Sequence, residues 1–149
     1  PPTTNLCLKW IEKKLKRNTR LLDYGSGSGI LSIASNKIFS CQVTGVESDP
    51  NAIKNANYNN FLNEVDIKYW LPKDFNLQNK YDIVISNILA SILISLSKDF
   101  KILTKREILL SGILINQVDT IIEKYKEWID LKLIDEMKGW CLLHGNLNS

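Results

Sequence analysis

Leu21-Leu22-Asp23-Tyr24-Gly25-Ser26-Gly27-Ser28-Gly29 carries an apolar stretch straight into a turn with glycine at every second position. After one amphipathic segment comes Val43-Thr44-Gly45-Val46-Glu47, which puts an acid 22 residues beyond Gly25. Glycines at the end of a buried strand let the backbone take φ values that a Cβ forbids and let it approach a ligand closely. An acid at the end of the next strand can accept both hydroxyls of a ribose. Strand, loop, helix, strand and acid in that order predict a nucleoside-bearing ligand. In the dinucleotide fingerprint the third glycine follows the second by three residues, but here the spacing is Gly-x-Gly-x-Gly and position 30 is Ile30.

A chain of 149 residues fits one domain and can bury a full core. Hydrophobic residues at 44% and charged residues at 23% are ordinary for a soluble globular protein. No apolar run approaches the roughly 20 residues needed to cross a bilayer. Pro1-Pro2-Thr3-Thr4 has neither the basic start nor the apolar core of a signal peptide, so a cytoplasmic setting is expected. Met137 is the only methionine, which implies a trimmed chain or a piece of something longer. Cys7, Cys41 and Cys141 are odd in number and far apart, so they predict small buried hydrophobes, with no disulfide framework and no metal-ligand spacing. The net charge of +3 is too mild to argue for a nucleic-acid partner, and none is expected. The one basic cluster, Lys13, Lys14, Lys16 and Arg17 with Arg20, reads as a solvated helix end, where cations complement the helix dipole.

The hydrophobic spacing predicts a helix over residues 6–15 with Thr3 or Thr4 as its N-cap. Strands follow over 19–23 and 42–46, with a helix between them that carries Ile30, Leu31, Ile33, Ala34 and Ile38. Asp49-Pro50 starts another helix, with Asp as cap and Pro at the first position. A third strand is expected over 65–70. The fourth, Tyr81-Asp82-Ile83-Val84-Ile85, enters the polar pair Ser86-Asn87. One long helix is expected over 89–103, then a strand at Ile108-Leu109-Leu110 that ends in Ser111-Gly112. Val118, Ile121, Ile122, Tyr125 and Ile129 form one buried helical stripe, and residues 131–137 and 140–143 make a hairpin about Lys138-Gly139. Alternating strands and helices predict an α/β fold: a Rossmann-like, mostly parallel sheet with an antiparallel C-terminal hairpin, in one domain over residues 1–149.

In such a sheet the residues after strands one, two and four share one cleft at the carboxyl ends. These are the glycine loop, Glu47 and Asn87. The tighter glycine spacing resembles the S-adenosylmethionine (SAM) loop of Rossmann-like methyltransferases. Backbone N–H groups near Gly29, at the helix start, can meet a carboxylate. Asn87 can accept a substrate N–H through its side-chain oxygen, orienting a nitrogen lone pair and stabilising the charge that develops there. It can equally serve as N-cap of the helix over 89–103. Asp74, beyond the third strand, can reach an adenine amino group or stand as a solvated loop acid. His144 has no partner in view and receives no role.

Pro2-Thr3-Thr4, the loop from Asp23 to Gly29, Gly45-Val46-Glu47-Ser48-Asp49-Pro50, Ser86-Asn87-Ile88-Leu89-Ala90 and Ser111-Gly112-Ile113-Leu114 occur in this order. With these segments the chain resembles the bacterial ribosomal-protein methyltransferases of the PrmA family. The resemblance implies SAM as cofactor and trimethylation of lysine ε-amines and an N-terminal α-amine on the large-subunit protein at the base of the ribosomal stalk. It makes Thr4, Gly25, Gly27, Glu47 and Asn87 cofactor-site residues, with Asn87 also facing the substrate amine as the catalytic residue. It also implies that the N-terminal segment folds over the cofactor.

The chain departs from that family in several places. Pro1 stands where the family usually has His, and the preceding Gly-Thr-Gly is absent. Glu47 replaces the usual Asp, and Leu103-Thr104-Lys105-Arg106-Glu107 replaces a Pro-Gly-Gly turn. The family's small N-terminal substrate-recognition domain is missing, so these residues are expected to fold, to bind SAM more weakly because part of the covering segment is gone, and to methylate the ribosomal substrate poorly or not at all. The alternatives are a SAM- or NAD-binding module without activity, and methylation of a glutamine amide or a nucleic-acid amine. Enzymes of the latter kind usually carry an aromatic after strand four, where this chain has Ile88 and Leu89.

Overall fold

In the computed structural model, which describes residues 1–147, seven strands form one sheet among the described residues. In chain order they are Arg20–Tyr24 (β1), Gln42–Val46 (β2), Lys68–Trp70 (β3), Tyr81–Asn87 (β4), Thr104–Leu114 (β5), Leu131–Met137 (β6) and Trp140–Asn146 (β7). Their spatial order is β3-β2-β1-β4-β5-β7-β6. The first five pair in parallel, while β7 runs antiparallel to β5 and to β6. The expected Rossmann-like sheet with an antiparallel hairpin is therefore what forms. Lys138 and Gly139, both at positive φ, close the β6–β7 hairpin in a two-residue turn.

Two-residue periodicity sorts the core onto both faces of this sheet. On one face Leu21, Ile83, Ile85, Leu109 and Leu142 pack with Leu6, Cys7 and Ile11 of Pro2–Lys14 (α1) and Leu31 of Ile30–Phe39 (α2). On the other, Leu22, Val84, Ile108, Leu110 and Leu143 meet three helices: Ala90–Ser95 (α4), Ser97–Leu103 (α5) and Val118–Tyr125 (α6). The remaining helix, Pro50–Asn63 (α3), completes a smaller cluster of Ile33, Ala56, Ile67 and Tyr69. It starts as expected, with the Asp49 carboxylate accepting from Asn51 N–H and Pro50 at its first position. All three cysteines are buried and unbridged.

Several boundaries differ from the sequence reading. Helix α1 begins at Pro2, with Pro1 in the cap position and no side-chain cap, because the fixed φ of Pro2 already suits a first helical residue. Thr3 and Thr4 thus lie inside the first turn and do not cap it. Strand β3 is three residues long, and β5 extends over eleven. The segment in place of the Pro-Gly-Gly turn is therefore mostly strand. The helix over 89–103 is broken at Leu96, whose φ of −93° and ψ of 0° leave the helical range. At that point the Tyr125 hydroxyl donates to the Leu93 carbonyl at 2.6 Å, and Trp128 Nε1 donates to Ser97 Oγ at 3.0 Å. Both partners come from the chain around α6, so periodicity within 89–103 carries no sign of them.

Tyr125 is fully buried. Tyr125→Phe removes the donor, leaves the Leu93 carbonyl without it, and should destabilise the chain by about 1–3 kcal/mol. Urea unfolding checks this, with a lower midpoint and an unchanged slope expected.

Candidate functional site

The carboxyl ends of β1, β2 and β4 lie level, since Tyr24 pairs with both Val46 and Ser86. One strand further along, Asn87 pairs with Ser111. Beyond Tyr24 the chain turns sharply, and the N–H groups of Gly25 and Ser26 both donate to the Val46 carbonyl, at 2.7 and 3.0 Å. The loop is thereby tied to the end of β2, where Glu47 follows. Glu47 is half-buried and its two carboxylate oxygens are already placed: Oε1 accepts from Gly27 N–H at 2.8 Å and Oε2 from Asp49 N–H at 2.9 Å. Each oxygen keeps a further lone pair for a ligand.

Ile88 holds the other wall. A Cβ on Gly25, at φ +87°, would collide with the Ile88 side chain, and a Cβ on Gly112, at φ +84°, would collide with the Ile88 carbonyl oxygen. The Asn87-Ile88-Leu89 segment is thus held between two backbone positions that only glycine can fill. Gly25 was visible as a loop glycine. Gly112 showed only as the end of a strand, and its contact lies 24 residues away in sequence.

Asn87 does not cap a helix. The cap position of α4 is Leu89, and no side-chain cap bond is made there. Asn87 instead donates from Nδ2 to Thr3 Oγ1 at 3.4 Å, and Ser111 Oγ donates to the Thr3 carbonyl at the same distance. The N-terminal segment therefore does reach the end of β4, and the residue bonded there is Thr3, next to the expected Thr4. Pro1, Pro2, Thr3, Asn87, Ile88, Leu89, Ile92, Gly112 and Trp140 line a cavity of about 460 Å³ with a largely apolar wall. Trp140, at the start of β7, supplies the aromatic side chain that the segment after β4 lacks. No local signal linked position 140 to position 87.

Asp23, one residue before the end of β1, is 1% exposed and accepts from Ser32 Oγ at 2.6 Å. Burial pushes its carboxyl up, the Ser32 hydroxyl draws it down, and the Glu47 carboxylate pushes it up again, to about 6. The Asp23–Ser32 bond ties β1 to the first turn of α2 beneath the glycine loop. Asp74 is exposed, in a single 3-10 turn after β3. His144 does have a partner, Glu107 Oε1 at 2.8 Å from Nε2, on the neighbouring strand β5. Among the described residues no helix is long and apolar enough to cross a membrane.

A sheet of this order, with a glycine loop after β1, an acid after β2 and an amide after β4, has the Rossmann-like architecture of SAM-dependent methyltransferases. The chain belongs to the family described as ribosomal protein L11 methyltransferase (PrmA), which it matches over residues 1–148. It is 38% identical over 146 residues to the ribosomal protein L11 methyltransferase of Paraburkholderia phymatum, covering 97% of this chain and 48% of that protein. It is 40% identical over 147 residues to the enzyme of the same name from Methylobacillus flagellatus, covering 97% and 50%. The chain thus spans about half the length of these relatives. A crystal structure of ribosomal protein L11 methylase from Lactobacillus delbrueckii subsp. bulgaricus superposes with a TM-score of 0.87 at 28% identity, covering 95% of this chain and 77% of that one.

The Asp23 carboxyl yields a pH prediction. Its folded pKa of about 6 lies above the ordinary 3.8, so the folded chain holds more protons between those values. Stability from this group is therefore greatest below about pH 4 and falls as pH rises to about 6, by about 3 kcal/mol. Asp23→Asn keeps an acceptor for Ser32 and cannot ionise. Denaturant unfolding at about pH 4.5 and about pH 7 should show a smaller loss in the variant than in the parent.

Proposed function

We propose that this chain is the catalytic domain of a cytoplasmic SAM-dependent N-methyltransferase whose acceptor is an amine, lysine ε or N-terminal α, on a large-subunit ribosomal protein. The observation that carries this reading is the position of Asn87, at the edge of an apolar cavity and at the end of the strand next to β1, from which the glycine loop leaves. The family's L11 methyltransferase relatives support the acceptor. The small substrate-recognition domain expected of that family lies outside residues 1–149.

The residues fit the cofactor. Ser26 Oγ is buried without a hydrogen-bond partner, and a Cβ at Gly27 would meet nothing within 4 Å, so the loop offers a spare polar atom and an open face. Glu47 would hold the ribose hydroxyls, Gly25 and Gly27 would let the backbone come close, and Thr4 belongs to the segment beside Asn87. When bound, SAM supplies an electrophilic methyl carbon on a sulfonium.

The chain's own groups prepare the nucleophile. A lysine amine ionises near pH 10.4, so at neutral pH only a small fraction is nucleophilic in water. The apolar wall formed by Ile88, Leu89, Ile92 and Trp140 disfavours the charged form and accepts the aliphatic stem. Asn87 then accepts an amine N–H through Oδ1, aligning the lone pair and stabilising the positive charge that develops on nitrogen. That nitrogen later releases its proton to solvent, so no protein carboxylate is required.

Two substitutions test this. Glu47→Ala should weaken SAM binding, read by titration calorimetry, by about 1.5–3 kcal/mol, because charge-assisted hydrogen bonds to the ribose are lost. Unchanged affinity would remove Glu47 from the site. In a form of the enzyme that is active to begin with, Asn87→Ala should lower tritiated-methyl transfer to ribosomal proteins by on the order of 100-fold while SAM affinity changes far less. Near-normal transfer would rule out a catalytic role for Asn87.

A further inference from the structure

The second half of α1 borders a groove that the methyl-transfer reading does not use. Lys9, Trp10, Lys13 and Lys14 line it from the helix and Lys16 from just beyond its end, with Ile134 and Asp135 of β6 and Leu142, His144 and Asn146 of β7 opposite. Its volume is about 620 Å³. Two carboxylates share the wall, and each already has a partner: Asp135 pairs with Lys9 at 3.5 Å, and Glu107 Oε1 lies 2.8 Å from His144 Nε2. Among the described residues Lys13, Lys14 and Lys16 are exposed and have no carboxylate within ion-pair distance. Trp10 and His144 lie with ring centroids 5.5 Å apart, making one aromatic surface beside these lysines.

We propose that this groove binds a single strand of nucleic acid, with phosphates against Lys13, Lys14 and Lys16 and a base against the Trp10–His144 surface. Cations flanking an aromatic platform are the combination by which unpaired strands are held, the charge following the backbone and the ring meeting the bases. An acidic peptide would use the same lysines but has no need of the aromatic face. The lysines are neighbours in sequence, where they read as a solvated helix end; packing of β7 against α1 adds His144 beside Trp10 and the opposite wall of the groove. The groove lies toward the opposite end of α1 from Thr3 and the Asn87 cavity, so the proposal stands apart from the proposed methyl transfer.

The test is fluorescence anisotropy of the 149-residue chain with a labelled uridine oligonucleotide of about 12 residues, with the deoxythymidine equivalent and a poly-glutamate peptide as separate arms. Three phosphate contacts predict that affinity falls on the order of 20-fold between about 50 and about 200 mM salt. The triple variant Lys13→Gln, Lys14→Gln, Lys16→Gln should lose most of the affinity and most of the salt dependence, while still binding SAM. Trp10→Leu should weaken binding several-fold with the salt dependence retained. Tighter binding of the uridine strand would assign the groove to RNA, and of the deoxythymidine strand to DNA; either supports the proposal. No binding of either strand, equal binding by the triple variant, or tighter binding of poly-glutamate would overturn it.

Discussion

Ile88 occupies space that side chains at positions 25 and 112 would need, and the rest of the site depends on this exclusion. The loop after β1 and the end of β5 close on Ile88 from two directions. Backbone at positive φ and without a Cβ is the only kind that can come so close. Asn87, the neighbouring residue, thereby takes a set position relative to the glycine loop. In the proposed function, an amide held on such rigid neighbours needs little reorganisation, which is where positioning lowers a barrier.

The polar groups around the loop are arranged in two tiers. Below it, Asp23 and Ser32 are buried and bonded to each other, which secures the strand-to-helix transition at the expense of a carboxyl held in an apolar setting. Above it, Glu47 is half-exposed, and its carboxylate is fixed by two backbone N–H groups before any ligand arrives. The Glu47 side chain meets the loop directly, at Gly27. Pre-set acceptors of this kind spare a ligand the entropy of ordering them.

Two surfaces of opposite character sit toward the two ends of α1. Around Thr3 the wall is apolar and continues outward through Leu89, 64% exposed, and Ile92, 44% exposed, a surface suited to an alkyl chain that ends in an amine. Around Lys13 the wall is cationic and aromatic. Helix α1 and strand β7 contribute to both, so one packed pair of elements sets the spacing between them.

Much of this architecture was legible in the linear chain because its signals are local. The apolar runs at 21–22, 83–85 and 108–110, the Gly-x-Gly-x-Gly turn, Asp49-Pro50 and Lys138-Gly139 each act through neighbouring residues, and each formed the element expected of it. The break at Leu96, the wedge of Ile88 against Gly112, the contact of Thr3 with Asn87, the entry of Trp140 into the cavity and the His144–Glu107 pair were not legible. Each joins positions far apart in sequence, and hydrophobic period or turn chemistry carries no information about which distant residue will be opposite. The sequence alone determined the order of strands and helices and the places of the loop glycines and of the acid after β2, since backbone geometry and side-chain alternation follow from adjacent residues. Only the tertiary structure decided what surrounds Asn87 and what gathers around Trp10, because those neighbours are chosen by how the sheet stacks its strands and which helix each face must bury.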